Sequence, residues 1–285
     1  MKIRNDFAIF ILTHGRPNSV HTVEVLNEIN YTGAWYILID DEDDTEPQYR
    51  KNYGDRVIQF CKKDIASRYD QGDTQEERRT VFYARNACFE IAKEMGLKYF
   101  MELDDDYVTM NYRREIDGQL TQRVGVKQGD RLLNAMIDFL EISGATTVAL
   151  AQGGDFIGGI QSKVWKEKLA RKAMNTFVCS TERPFQFLGR INEDVSTYTL
   201  LSSQGKLFFT IADIMVNQLT TQKNPGGMTD VYLDCGTYLK SFYSVMYCPS
   251  AVKISVMGGT HMRIHHQVNW NNCAPKILNE KYKRI

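Results

Sequence analysis

The sequence predicts an α/β protein: a single Rossmann-like, mostly parallel sheet flanked by helices. Three observations lead there. Apolar runs of strand length alternate with stretches of helical periodicity through the first third of the chain. Those runs are continuously apolar, as strands covered on both faces are. Polar clusters follow three of them, at the carboxyl ends where sheets of this kind bind ligands.

The elements follow in order. Phe7 to Leu12 (FAIFIL) reads as the first strand. Pro17 suits a first helical turn, and Val20, Val23, Leu26 and Ile29 then space as one helical face. Tyr31-Thr32-Gly33 ends that helix. Trp35 to Ile39 is a second strand, running into Asp40-Asp41-Glu42-Asp43-Asp44, and Val57 to Cys61 is a third. A helix is expected from about Glu76 to Met95, since Val81, Ala84, Cys88, Ile91 and Met95 share a face and Gly96 sits at the stop. Tyr99 to Leu103 is the next strand, and Asp104-Asp105-Asp106 lies at its end. Such units cross over right-handedly. Further on, Leu132 to Ile142 and Glu193 to Leu201 read as helices. Thr147 to Ala151, Leu207 to Ile211 and Val252 to Met257 read as strands. There is no repeat, no low-complexity segment and no linker, and six prolines disfavour a hinge, so residues 1–285 are expected to form one domain.

The bulk numbers narrow the function. With 43% hydrophobic and 25% charged residues, the 285-residue chain is an ordinary globular one. Lys+Arg and Asp+Glu are 35 each; a chain that only clamps nucleic acid would be basic, although a local basic face can accompany an acidic site. The six cysteines form no CxxC pair, against a zinc knuckle or a disulfide scaffold and in favour of reduced thiols in a cytoplasm. The apolar run before Thr13 is too short for a signal or a membrane span, so no membrane partner is expected.

Several clusters carry chemistry. Asp104 and Asp106 are alternate residues after an apolar strand and can project to one side of the chain. Two carboxylates suit a hard divalent cation, Mn²⁺ or Mg²⁺, which keeps positions open for phosphate oxygens. A solvated turn with capping aspartates would carry the same residues. Thr13-His14-Gly15-Arg16 joins the first strand to the first helix, where free N–H groups and a guanidinium suit an anion; a plain strand-to-helix turn also fits. Asp40 stands where an acidic residue accepts from ribose hydroxyls. Arg78, Arg79 and Arg85 lie on or before the helix preceding the triplet, with surface charge as the rival reading for Arg78. Asn86 is a poor mid-helix residue, which points to a polar task. Glu193 and Asp194 open a later helix, as a cap or as a base for an acceptor hydroxyl. Gly153-Gly154 follows a strand and can line a sugar pocket; Asn224-Pro225-Gly226-Gly227 reads as another tight loop. His261, His265 and His266 cluster near the C-terminus, and at most one of the adjacent pair can reach a shared site.

Taken together these residues resemble nucleotide-sugar transferases of the A-type fold. The strings ILTHGRPNS, WYILIDDEDD, YARN, LDDDY, AQGGDFIGG, GRINEDVSTY, GTYLKSFYSVM and RIHHQVNW, spread from about Ile9 to Ile277, resemble the TET-associated glycosyltransferases of bacteriophages. That resemblance implies a metal-dependent glycosyltransferase using a nucleoside diphosphate sugar, with UDP the expected nucleotide. It implies a nucleotide-sugar-binding half over about 1–110 and an acceptor half over about 111–285. Thr13, His14, Gly15, Arg16, Asp40, Arg79, Arg85, Asp104, Gly153 and Gly154 would bind the donor. Asp104, Asp106 and His265 would hold the metal, and Glu193 or Asp194 would act on the acceptor. The implied acceptor is hydroxymethylated double-stranded DNA, at 5-hydroxymethylpyrimidine bases, in the host cytoplasm. A basic acceptor face can be drawn from Arg113, Arg114, Arg123, Lys127, Lys163, Lys166, Lys168, Arg171 and Lys172, which also read as ordinary helix surface. The rivals are the same transfer to a glycan, protein or small molecule, a sugar-1-phosphate nucleotidyltransferase, and a binding module without catalysis. The second would need a glycine- and lysine-rich first loop, which Thr13 to Pro17 lacks.

Overall fold

The structure, a computed structural model, describes residues 2–73, 78–219, 238–258 and 262–277. Cys235, His261, the Asn224–Gly227 loop and the expected helix start at Glu76 lie outside them.

The expected strands and helices of the first half are there, together with two short helices, over Glu46–Tyr53 and Lys62–Arg68, that the sequence did not announce. β1 (Phe7–Leu12), α1 (Thr22–Glu28), β2 (Ala34–Asp40), α2 (Glu46–Tyr53), β3 (Val57–Phe60), α3 (Lys62–Arg68), α4 (Phe82–Glu94) and β4 (Tyr99–Asp104) follow in order. β3, β2, β1 and β4 lie side by side and parallel, with Leu12 opposite both Leu38 and Asp104. This register brings the polar ends of β1, β2 and β4 to one edge. All six β1 residues are buried, because apolar side chains cover both faces. Ile9, Ile11, Leu26, Leu103 and Ile137 belong to one core layer and Phe10, Leu12, Phe89 and Phe100 to the other.

Two starts differ from expectation. Pro17 lies in a turn and α1 begins at Thr22, whose amide and hydroxyl are engaged by the acidic turn after β4. α4 begins at Phe82, since Arg78 to Val81 form a turn held by Arg78 on Glu42.

The second half continues with β5 (Tyr107–Ile116), β6 (Gln119–Gly125), α5 (Gly129–Ser143), β7 (Thr147–Ala151), α6 (Lys163–Glu167), β8 (Leu169–Ala170), β9 (Phe177–Ser180), α7 (Glu193–Ser203), β10 (Phe208–Gln218), α8 (Leu239–Tyr247), β11 (Val252–Met257) and β12 (Arg263–Val268). Its strands extend the same sheet, in the order β3-β2-β1-β4-β9-β7-β10-β5-β6, with β8 beside β10. β6, β7 and β10 run with the first four strands; β5, β8 and β9 run against them. The sheet is therefore mostly parallel, with antiparallel strands entering only after β4. β10 is longer than the apolar run Leu207–Ile211: its first half pairs with β7, its register breaks after Ile211, and its second half pairs with β5. β11 and β12 form a separate antiparallel pair that packs with α8. Among the described residues no helix is long and apolar enough to cross a membrane.

Candidate active site

The acidic triplet forms a tight turn. Asp104 ends β4, Asp105 and Asp106 make the turn, and β5 starts at Tyr107. The turn is locked from α1. The Thr22 hydroxyl donates to the Asp104 carbonyl at 2.5 Å and accepts the Tyr107 amide at 3.2 Å, while the Thr22 amide donates to the Asp105 carbonyl at 3.1 Å.

The three carboxylates have different surroundings. Asp105 is 2% exposed and turns toward β1, where it accepts from the Thr13 hydroxyl at 2.5 Å and faces the Arg16 Nε at 3.3 Å. Asp104 accepts from the Arg85 Nη2 at 3.1 Å. The Asp106 Oδ1 is buried with no hydrogen-bond partner. Burial raises all three carboxyls; for Asp106, burial with Asp104 and Asp105 beside it pushes the carboxyl up to about 7.

The loop after β1 wraps around this turn. The Tyr49 hydroxyl lies 2.8 Å from the Thr13 hydroxyl and accepts the Arg16 amide at 2.9 Å. The Gly15 amide donates to Asp43 at 2.7 Å, and Gly15 sits at φ +70°, where a side chain would be strained. The His14 Nδ1 is 2.9 Å from Asp40, whose carboxylate also pairs with the buried Lys62 at 3.1 Å. The hydrogen bond to Asp40 raises His14 against the opposing effect of burial. Burial favours protonated Asp40, but His14 and Lys62 outweigh it and hold the group below its usual value. The backbone N–H groups of Gly15 and Arg16 are thus already committed, and the Arg16 guanidinium is the basic group that this loop presents toward the triplet.

Arg85 lies inside the protein rather than on the donor-facing surface that its expected role calls for. It is 1% exposed and surrounded by Glu102, Asp104 and Glu193, while Arg79 is exposed. Asn86 has the polar task its position suggests: its side chain exchanges hydrogen bonds with the Phe187 backbone at 3.0 and 3.3 Å.

Glu193 and Asp194 start α7 as expected and are buried, each 7% exposed. Asn192 precedes them at φ +59°, a left-handed position that asparagine tolerates. The Glu193 carboxylate accepts from the Arg85 Nε at 3.0 Å, and the Asp194 Oδ1 accepts the Val195 amide at 2.7 Å. Burial raises both carboxyls and Arg85 pulls them back; the charge of Asp194 adds to the rise of Glu193, and that of Asp104 to the rise of Asp194.

Of the two adjacent histidines, His266 reaches the start of α7, its Nδ1 3.4 Å from the Asn192 side-chain nitrogen. The His265 ring packs against it at 4.2 Å and does not join Asp104 and Asp106 in a three-ligand cluster among the described residues. Burial, His265, Lys240 and Lys172 disfavour the charged form of His266 and lower it to about 4. Gly153 and Gly154 form a short 3₁₀ turn capped by Gln152 and Asp155, with open space where side chains would project. Asp155 is paired with Lys172.

A family model for TET-associated glycosyltransferases matches residues 7–227. This chain belongs to that family. Comparison with curated proteins found no match. The matched span of the glycosyltransferase runs from β1 through β10 and so includes the acidic turn, Arg85 and the start of α7. A glycosyltransferase takes its sugar from an activated donor, a nucleotide sugar.

Sequence reading missed the roles of Thr22, Tyr49, Glu102 and Asn192, and of the adjacent histidines it assigned His265 where His266 meets Asn192. Glu102 carried a signal, being the one charged residue inside YFMELD before the terminal aspartate. The other three, Thr22, Tyr49 and Asn192, look like ordinary helix or loop residues until the fold brings them in.

Proposed function

We propose that this glycosyltransferase moves a sugar from a nucleoside diphosphate, UDP in the first instance, to the hydroxymethyl group of 5-hydroxymethylpyrimidine bases in double-stranded DNA. One observation carries the reading. The Thr13–Arg16 loop, the Asp104–Asp106 turn and the start of α7 meet at one edge of the sheet, joined by Thr13–Asp105, Arg16–Asp105 and Arg85–Glu193 contacts. Anion-binding, cation-binding and proton-accepting groups then stand together.

A divalent cation suits the acidic turn. Asp106 has a buried oxygen without a partner, and the three neighbouring carboxyls are all driven toward the neutral form. Asp104 and Asp106 would hold Mn²⁺ or Mg²⁺, leaving other positions to phosphate oxygens and water. When bound, the cation neutralises the charge developing on the diphosphate leaving group. Arg16 orients the phosphates, and Asp40 and His14 lie on the nucleoside side. Gly153 and Gly154 leave room for the sugar. Glu193, at the start of α7, takes the proton of the acceptor hydroxyl, with Asp194 and His266 beside it.

We further read residues 1–285 as one catalytic domain, with donor groups within about 1–110 and acceptor groups beyond. A DNA acceptor rests on the family resemblance and places the reaction in the cytoplasm of a phage-infected cell. The extruded base would bring its hydroxymethyl group to Glu193.

The test is a panel: UDP-, GDP- and ADP-sugars with Mn²⁺, against hydroxymethylcytosine, hydroxymethyluracil and unmodified DNA, with nucleosides weighed by mass spectrometry. A hexose or pentose mass added only to a hydroxymethylated nucleoside supports the reading. Sugar appearing instead on an oligosaccharide, peptide or small alcohol in parallel reactions would assign the other acceptor class.

A further inference from the structure

Arg85 touches both sides of the candidate site from within. Its Nε donates to Glu193 at 3.0 Å, its Nη2 to Asp104 at 3.1 Å, and its Nη1 to Glu102 at 3.5 Å. Three nitrogens of one planar group meet three carboxylates from two elements, β4 and α7. The group is also held from its face: its central carbon lies 4.7 Å from the Phe177 ring centre and 5.7 Å from that of Phe187, and those rings pack edge to face. Asn86, the next residue on α4, fixes the Phe187 backbone in the chain leading to α7. The Leu188 amide is fixed in turn by the Thr197 hydroxyl at 2.9 Å.

A surface ion pair would have none of this. At 1% exposure Arg85 has little room to reach a ligand, and its N–H groups are aimed at protein carboxylates. Asp104 and Glu193 come from separate elements, and the Arg85 side chain contacts both.

We propose that Arg85 is a positioning residue that fixes the donor-side carboxylate Asp104 and the acceptor-side carboxylate Glu193 relative to each other. The proposal rests on the reading of Glu193 as the base. A rigid guanidinium can hold two carboxylates at set angles; a lysine ammonium is a point charge on a flexible stem and cannot. Arg85→Lys therefore keeps the buried charge and loses the geometry.

The experiment compares the parent protein, Arg85→Lys, Glu193→Gln and the double variant. Melting temperature, UDP affinity in Mn²⁺ by calorimetry, and turnover at saturating donor are measured on each. Arg85→Lys is expected to lower turnover by at least about tenfold, because small misplacements of reacting groups are costly. In the Glu193→Gln background the same change should cost less than about threefold further, since residues acting as a unit are not additive. UDP affinity should fall in both backgrounds alike, because that loss runs through Asp104. A folded Arg85→Lys protein with parent turnover overturns the proposal, as does an equal loss of turnover in both backgrounds. Parent-like turnover of Glu193→Gln removes the base and the proposal together, a result distinct from either. Should Arg85→Lys fail to fold, Arg85→Gln combined with Glu102→Gln removes one charge of each sign, and the same comparison is made with it.

Discussion

The hydroxyl of Thr22 donates to the main-chain carbonyl of Asp104 at 2.5 Å, and the Thr22 hydroxyl oxygen in turn accepts the amide of Tyr107. A helix side chain thereby clamps the acidic turn across its base, and the turn keeps its shape whatever its carboxylates are doing. Thr22→Val preserves the volume and deletes both hydrogen bonds. Stability should fall by about 1–3 kcal/mol, the cost of leaving buried partners unsatisfied, and UDP affinity in Mn²⁺ should weaken with it. A variant that melts and binds like the parent would show that the clamp is idle.

Asp105 turns toward β1 rather than into solvent, and it is not spare. Its contacts with Thr13 and Arg16 bind the β1 loop to the turn. Asp105→Ala should therefore act mainly on stability, by about 2–3 kcal/mol for lost charge-assisted hydrogen bonds, with a melting temperature lower by roughly 5 °C. Loss of donor affinity with unchanged melting would place it among the ligands instead.

Asp106→Asn should behave in the opposite way. Its oxygen has no protein partner to lose, so melting should hold or rise while UDP affinity in Mn²⁺ drops by at least about tenfold. Undiminished binding in chelator, by parent or variant, would end the cation assignment.

Glu193 and Asp194 should separate. Glu193→Gln is expected to cut turnover by about 10²- to 10⁴-fold with UDP binding kept, the range that general-base catalysis supplies. Asp194 accepts its neighbour's amide within the first turn of α7, so Asp194→Asn should register chiefly in melting temperature. Equal turnover of both variants with the parent would leave the pair as a helix start alone.

His14 makes the pH dependence asymmetric. Its value is raised in the folded protein, chiefly by the hydrogen bond to Asp40, so folding favours the protonated ring. The stabilisation is complete below the unfolded value, about 6.5, and disappears as pH rises through the raised folded value. The melting-temperature gap between the parent and His14→Gln should shrink across that window. A constant gap from pH 6 to 9 would mean that the ring does not gain its charge on folding.

The fold could be read from the chain where its physics is local. FAIFIL and YFMEL announce buried parallel strands by composition alone, and the residues after them mark the sheet's binding edge. The hairpin β5–β6 carries no such announcement: YVTMNYRREI is polar at alternate positions and exposed toward its end. β9 is four residues long and is a strand only because β4 and β7 lie on either side of it. In the site, Asp104 to Asp106 and Glu193 stand out as clustered charge. Arg85 stood out too, but its burial depends on Phe177 and Phe187, distant in sequence. His265 and His266 are equivalent until the register of β12 decides which one meets Asn192.

β9 has one more consequence, for how the molecule comes into being. It is the seam between β4 and β7, antiparallel to both, and it is contributed by residues 177–180. A ribosome that has released only the first four strands has made a platform with a bare β4 edge, open to any passing strand. The edge closes only when a chain segment more than 70 residues further along has emerged. Separating the chain near residue 110 would therefore yield an unsealed sheet and a fragment without its neighbour. Assembly of this enzyme waits on a strand four residues long.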